Sequence, residues 1–205
     1  MAWMESATVA YLRTLVNRVE PYQQTPLPII DTFGVTEIVR EAATLLMLLA
    51  VGLLAGTSWK SRLGYFMAAF GVWDMFYYLF LKAIVGWPHS LFDWDILFLI
   101  PLPWWGPVLS PVLISLVLIV VGSLLAQDEI NNAQIRSGTL SWSLHICGIS
   151  GALYVFMNHS IEVIGKSSNG IEELPTKFNW PFFVLALFFM LMPAFEAGVR
   201  SLKEK

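Results

Sequence analysis

Five stretches of this chain are apolar for long enough to suggest a membrane. A spanning helix needs about 20 mostly apolar residues. Residues 36–55, 63–87, 108–126, 140–164 and 180–199 approach or exceed that length. A sixth apolar piece, 96–101, is too short to span and runs into the segment PLPWWGP. Pro101, Pro103, Pro107 and Pro111 prevent one straight helix from continuing through it, because each proline lacks the N–H that a helix interior uses. This region is expected to form a short interfacial or re-entrant helix and a tight turn, with Trp104 and Trp105 at headgroup level. Near the N-terminus the pattern changes. Val9, Leu12, Val16 and Val19 recur at three- and four-residue spacing, with Arg13, Asn17 and Arg18 elsewhere on the wheel, as in an amphipathic helix lying on a membrane or a partner. Pro21, Pro26 and Pro28 then mark an extended link.

The expected fold is all-α. It is a polytopic membrane helical bundle of about five transmembrane helices, with an N-terminal amphipathic helix and a short interfacial or re-entrant helix. Residues 1–34 form the arm and linker, and residues 35–205 form the bundle. Composition agrees: 57% of residues are hydrophobic and 13% charged, where a soluble domain usually has about a quarter charged. The formal net charge of -3 gives no basic field for nucleic acid. The lone cysteine, Cys147, excludes an intrachain disulfide and any multi-cysteine metal motif. Lys60 and Arg62, Arg136, and Arg200, Lys203 and Lys205 fall on one side of a five-span chain. The positive-inside tendency assigns that side to the cytoplasm. The expectation is therefore an integral protein of the cell membrane, N-terminus out and C-terminus in.

Charge inside the apolar stretches carries the candidate chemistry. Asp74 lies near the middle of the second span, where a charge costs roughly 2.5–3.5 kcal/mol on insertion scales. Tyr77 and Tyr78, three and four residues on, share its helical face and are expected to donate to it. Lys82 is expected to reach toward the outer surface. Glu37 and Glu41 share a face of the first span at four-residue spacing. Together, Asp74, Tyr77, Tyr78, Lys82, Glu37 and Glu41 are the intramembrane polar set.

The five-span topology also gathers His89, Asp93, Asp95, His159 and Glu162 toward the outer side. Imidazole with carboxylate suits a transition metal, and His89 with His159 suits the iron of haem b. His145 and His159 are about 40° from sharing a face and about 21 Å apart in rise. That resembles the spacing by which b-type cytochromes present ligands to two haems, an arrangement that needs histidines from a further helix. Against a metal stands the simpler reading that span-end charges pair with one another: Arg40 with Glu37 or Asp93, and Lys82 with Glu41. A small-residue pair, Gly148 and Ala152, favours close helix packing, and Glu196 is set to pair with Arg200 four residues on.

No phosphate-binding loop, dinucleotide fingerprint, nucleophile elbow or zinc-protease motif is present. Three functions fit what remains. The first is an integral subunit of a larger membrane complex, anchoring and redox-linked, with lipid and other membrane subunits or further copies of itself as partners. The second is a small oligomeric ion or proton transporter or channel using Asp74. The third is a metal-dependent membrane enzyme acting on a lipid or quinone.

Overall fold

The computed structural model describes residues 1–15, 20–22, 32–131, 138–165 and 175–203. Val16, Asn17, Arg18, Val19, Pro26, Pro28, Arg136 and Lys205, named above, lie outside them. The described chain is mostly helical. In order it contains α1 (Ala2–Leu15), α2 (Thr32–Ala55), α3 (Trp59–Val85), β1 (Trp94–Phe98), β2 (Trp104–Pro107), α4 (Leu109–Asn131), α5 (Thr139–Gly165), α6 (Trp180–Met190) and α7 (Met192–Lys203). Among the described residues, four helices are long and apolar enough to cross a membrane. A fifth is added if α6 and α7, bent by 44° at their junction, count as one span. Large apolar side chains stay exposed on these helices, among them Leu54, Trp59 and Leu140. Water is a poor solvent for such surfaces and lipid is a good one.

The prolines explain where helices begin and break. Pro111 is the third residue of α4 and Pro181 the second of α6, positions whose N–H would have no intrahelical partner anyway. Asn179 caps α6, its side chain accepting from the Phe182 N–H at 3.3 Å. Pro193, second in α7, cannot donate to the carbonyl four residues back, which separates α7 from α6. At the end of α3, Gly86 adopts a positive φ of 76° and its N–H bonds the Lys82 carbonyl at 3.0 Å. Glycine tolerates this left-handed helix end without a Cβ penalty.

Residues 94–107 correct the sequence reading. The expected short helix is an antiparallel β-hairpin, with Trp94 opposite Pro107, Asp95 opposite Gly106 and Ile96 opposite Trp105. A four- to eight-residue apolar run does not reveal its own period. Here tryptophan, isoleucine and phenylalanine favour a pleated surface, and Pro101 and Pro103 sit in the connection. Pro107 occupies a strand end, where no ladder donor is needed.

The chain forms two compact units. The first comprises Met1–Leu45, Trp73–Val112 and Tyr154–Phe178. Its apolar centre is Val9, Ala10, Tyr78, Leu81, Trp87 and Val108. The inward face of α1 is thus covered by its own chain. Trp104 of the hairpin stacks on Phe156 of α5, with centroids 6.1 Å apart and planes 9° apart. Ser160 of α5 donates to the Pro103 carbonyl at 2.6 Å.

The second unit comprises Leu46–Val72, Leu113–Leu153 and Asn179–Lys205, and small residues organise it. A Cβ on Gly64 of α3 would lie 2.6 Å from the Gly122 carbonyl oxygen of α4, and one on Gly122 would lie equally close to that of Gly64. The two backbones therefore touch, as close-packed membrane helices require. Gly148 of α5 approaches the Ala186 carbonyl of α6 in the same way. Glu196 of α7 accepts from the Gly138 N–H at 2.8 Å and from the Ser141 hydroxyl at 2.5 Å. It thereby caps the start of α5, a contact that the expected pairing with Arg200 did not include. His145 of α5 is buried, its Nδ1 2.5 Å from the Met190 carbonyl at the α6–α7 break.

Candidate functional site

Within the first unit lies a cavity of about 120 Å³. An apolar cavity of about 150 Å³ takes benzene, and one water needs about 10–15 Å³. The site therefore has room for several waters or one small molecule. Four elements build it. Helix α1 contributes Glu5, Val9, Leu12 and Arg13. Helix α2 contributes Glu37, Arg40, Glu41 and Thr44. Helix α3 contributes Trp73, Asp74, Tyr77 and Tyr78, and the hairpin contributes Ile96 to Leu99. Glu41 and Thr44 stand about 14 and 18 Å along α2 from its first residue, and Asp74 about 16 Å from the end of α3. Beside membrane-spanning helices, non-helical backbone is tolerated where it is buried in protein or lines a cavity. The hairpin does the latter, and its Leu99 N–H donates to Glu41 Oε2 at 2.9 Å.

Two ion-pair networks border the cavity. Arg40 bonds Glu37 through Nε at 3.2 Å and through Nη2 at 2.7 Å, and its Nη1 pairs with Glu5. Glu5 Oε2 also accepts from the Thr44 hydroxyl at 2.9 Å. In the second network Arg13 Nη2 donates to Asp95 Oδ1 at 2.8 Å, and the Tyr78 hydroxyl donates to Asp95 Oδ2 at 3.1 Å. The Arg13 guanidinium stands 4.8 Å from the centre of the Trp87 ring, within cation–π range. Asp95 is 1% exposed. Burial pushes its carboxyl above the usual range, while Arg13, Tyr78 and the Ile96 N–H pull it part of the way back. Burial alone would lower the Arg13 guanidinium, but the charge and hydrogen bond of Asp95 together with Tyr77 and Tyr78 outweigh that and leave it raised. Arg13 therefore holds its proton throughout the accessible pH range. Its Nη1 is buried with no hydrogen-bond partner among the described residues.

Five of the six intramembrane polar residues, Asp74, Tyr77, Tyr78, Glu37 and Glu41, line this one cavity. Lys82 does not. It is exposed and donates to the Gly86 and Pro88 carbonyls at 3.0 and 2.6 Å, closing the end of α3. The expected donation from Tyr78 to Asp74 is replaced by the bond to Asp95, which the hairpin brings within reach. Of the expected span-end pairs, Arg40 with Glu37 is present, while Glu41 takes a backbone N–H in place of Lys82. Arg13 was assigned to the polar side of an amphipathic wheel, yet it points to Asp95. Glu5 and Thr44 had no place in the sequence reading. The only hint was that Ser6, Val9 and Arg13 share one stripe of α1 at i, i+3 and i+7.

The five proposed metal ligands do not converge. Among the described residues, no three histidine, cysteine, aspartate or glutamate side chains meet as a metal-holding group. Asp95 is engaged by Arg13 and Tyr78. Asp93 Oδ2 accepts from the His89 and Ser90 N–H groups at 2.7 and 3.2 Å and so fixes a turn. His89 is exposed, its Nε2 3.3 Å from Glu20 Oε1. Glu162 accepts from Asn158 at 2.8 Å on its own helix. No histidine lines the cavity, so its donor set does not suit haem either. The H-x3-D-x-D spacing does not gather these side chains because Asp93 lies in the turn before β1 and caps backbone N–H groups there, while Asp95, in β1, is held by Arg13 and Tyr78. Compared with known proteins, the chain matches no family model, no curated protein and no solved structure.

Proposed function

We propose that this chain is a small multi-pass membrane transporter or channel whose ion or solute contact is the charged cavity, with Asp74 and Glu41 as the working carboxyls. In this reading the chain crosses the membrane five times, with the bent α6–α7 pair as the fifth span, N-terminus outside and C-terminus inside. The observation that carries it is a cavity bordered by two of the helices long and apolar enough to span, walled in part by a hairpin and lined by four carboxyls and two guanidiniums. Ionisable side chains inside a membrane are costly and are kept where they face a pathway or a partner. Irregular backbone beside a polar site is a recurring way for transporters to present hydrogen-bonding groups to cargo.

The test is flux through liposomes holding the purified full-length protein. Proton entry is read by an enclosed pH dye and monovalent-cation entry by vesicle swelling. Wild-type protein should exceed protein-free vesicles, and Asp74→Asn should cut the excess by about tenfold or more, as removal of an intramembrane charge contact does. Flux no greater than that of empty vesicles, or unaltered by the substitution, would remove transport from consideration. Stoichiometric membrane partners retained through gentle purification would then favour the anchoring-subunit role.

A further inference from the structure

The two faces of α1 are reversed relative to a helix lying on water. Its charged residues, Glu5 and Arg13, both turn inward. Glu5 is 8% exposed and accepts from Thr44 of α2, and Arg13 holds Asp95. Ser6, on the same side, is fully buried and donates to the Tyr77 carbonyl of α3 at 2.9 Å. The opposite side carries Trp3, Met4, Tyr11 and Leu15, which are 52%, 69%, 70% and 74% exposed. A helix beside water turns its charges out and its apolar stripe in. Here the medium outside α1 must be less polar than the interior that its other face meets.

Two further observations say what that medium is. Thr8 and Thr14 are exposed, yet each hydroxyl closes on its own helix, donating to the Met4 carbonyl at 2.8 Å and the Ala10 carbonyl at 2.7 Å. Such internal closure is what a polar group needs where no water is at hand. The outer face also continues onto a helix long and apolar enough to cross a membrane. The Trp3 ring meets Phe80 of α3 edge-on at 5.2 Å, Phe80 meets Phe76 at 5.6 Å, and Phe76 and Leu79 are exposed. Membrane helices approach a protein partner through small side chains or hydroxyls that bond across. The exposed apolar side chains of this stripe are bulky, and its threonine hydroxyls are already used.

We propose that the outer face of α1 is a lipid-contact surface, lying against phospholipid acyl chains beside α3 as an embedded helix that does not cross. Its 14 residues rise about 21 Å, short of the roughly 30 Å of hydrocarbon. Trp3 and Tyr11 suit the zone where acyl chains meet headgroups. The inward face of the same helix lines the cavity with Glu5, Val9, Leu12 and Arg13, so α1 parts the ion-pair networks from the lipid. The proposal rests on α3 crossing the membrane and not on transport.

The test is spin-label accessibility on the full-length protein in lipid nanodiscs. In a Cys147→Ser background, single nitroxides are placed by Met4→Cys, Thr8→Cys and Tyr11→Cys. Leu79→Cys on α3 and Ser90→Cys in the exposed turn serve as references. Oxygen partitions into acyl chains and a neutral nickel chelate into water. The oxygen-to-nickel ratio at positions 4, 8 and 11 should match that at 79 and exceed that at 90 several-fold. A ratio like that at 90 would place the face in water and overturn the proposal. Low access to both reagents would show a protein covering it, a second copy or another subunit, and would overturn it equally. A water-like ratio at 79 itself would sink the crossing of α3, a failure distinct from that of α1 alone. Wild-type protein gives a check without variants. A phospholipid with a photoactivated diazirine on its acyl chain should leave adducts on Trp3, Met4 or Tyr11, and adducts on α3 with none on α1 would overturn the proposal.

Discussion

At the residue scale, the pair most exposed to test is Arg13 with Asp95. Its members are 82 residues apart in sequence and 2.8 Å apart in space. Asp95 is 1% and Arg13 14% exposed at the side chain, so solvent does little to screen them. Removing one member strands the other, a loss of roughly 3–5 kcal/mol for a buried pair. Asp95→Asn and Arg13→Met should each destabilise on that order. The double variant should lose less than the sum of the two, with a coupling of about 0.5–3 kcal/mol. Denaturant titration of the detergent-solubilised protein reads all four corners of the cycle, and strict additivity would show that the contact contributes nothing. Charge position was legible in the chain: Asp74, Glu37 and Glu41 stood out as acids in apolar runs. Their partners were not. Glu5 and Arg13 lie in a segment whose polar residues look like the wet side of a surface helix, and only the approach of α2 and the hairpin makes them inward.

At the element scale, the apolar helices were legible nearly to their ends, because a long apolar run states its environment locally. The hairpin was not. Residues 96–101 were too few to declare a period, and the prolines that forbid a straight helix are compatible with a bent helix or a turn. What makes this segment a hairpin is non-local: Val108 N–H bonds the Asp93 carbonyl at 2.9 Å, Leu109 N–H bonds that of Leu91 at 2.7 Å, and Leu99 N–H reaches Glu41 on α2. Hydrogen exchange distinguishes these bonds. In Glu41→Ala the Leu99 amide should lose protection, whereas the Val108 amide, whose acceptor is backbone, should keep it. Loss of protection at both positions would mean that the hairpin depends on Glu41 for its existence. A buried amide deprived of its acceptor costs about 1–3 kcal/mol, enough to expose Leu99 without unfolding the bundle.

At the scale of the whole molecule, the number of crossings governs the remaining claims. In the proposed five-span reading, residues 86–93 and 175–179 fall on one face of the membrane and residues 56–58 on the other. Cys147 is exposed, so a Cys147→Ser background is needed before single cysteines are introduced at Ser90, Lys177 and Lys60. A membrane-impermeant maleimide added to intact cells should label positions 90 and 177 but reach position 60 only after permeabilisation. Labelling of 90 and 177 from opposite sides would mean that α4 and α5 do not both cross, and the five-span reading would fail with it.

The chain on its own determined that several helices are long and apolar enough to cross a membrane, where they run and which acids lie within them. Each of these follows from side chains a few residues apart acting through transfer free energy and helical period. Tertiary structure alone decided that Arg13 faces Asp95, that Glu5 joins Arg40, that residues 94–107 fold back as strands, and that Asp93 caps the turn at His89 while Asp95 goes to Arg13. Those outcomes depend on which distant segments meet. In a low-dielectric interior a charge takes whichever partner the packing brings within about 3 Å, and sequence spacing carries no record of that choice.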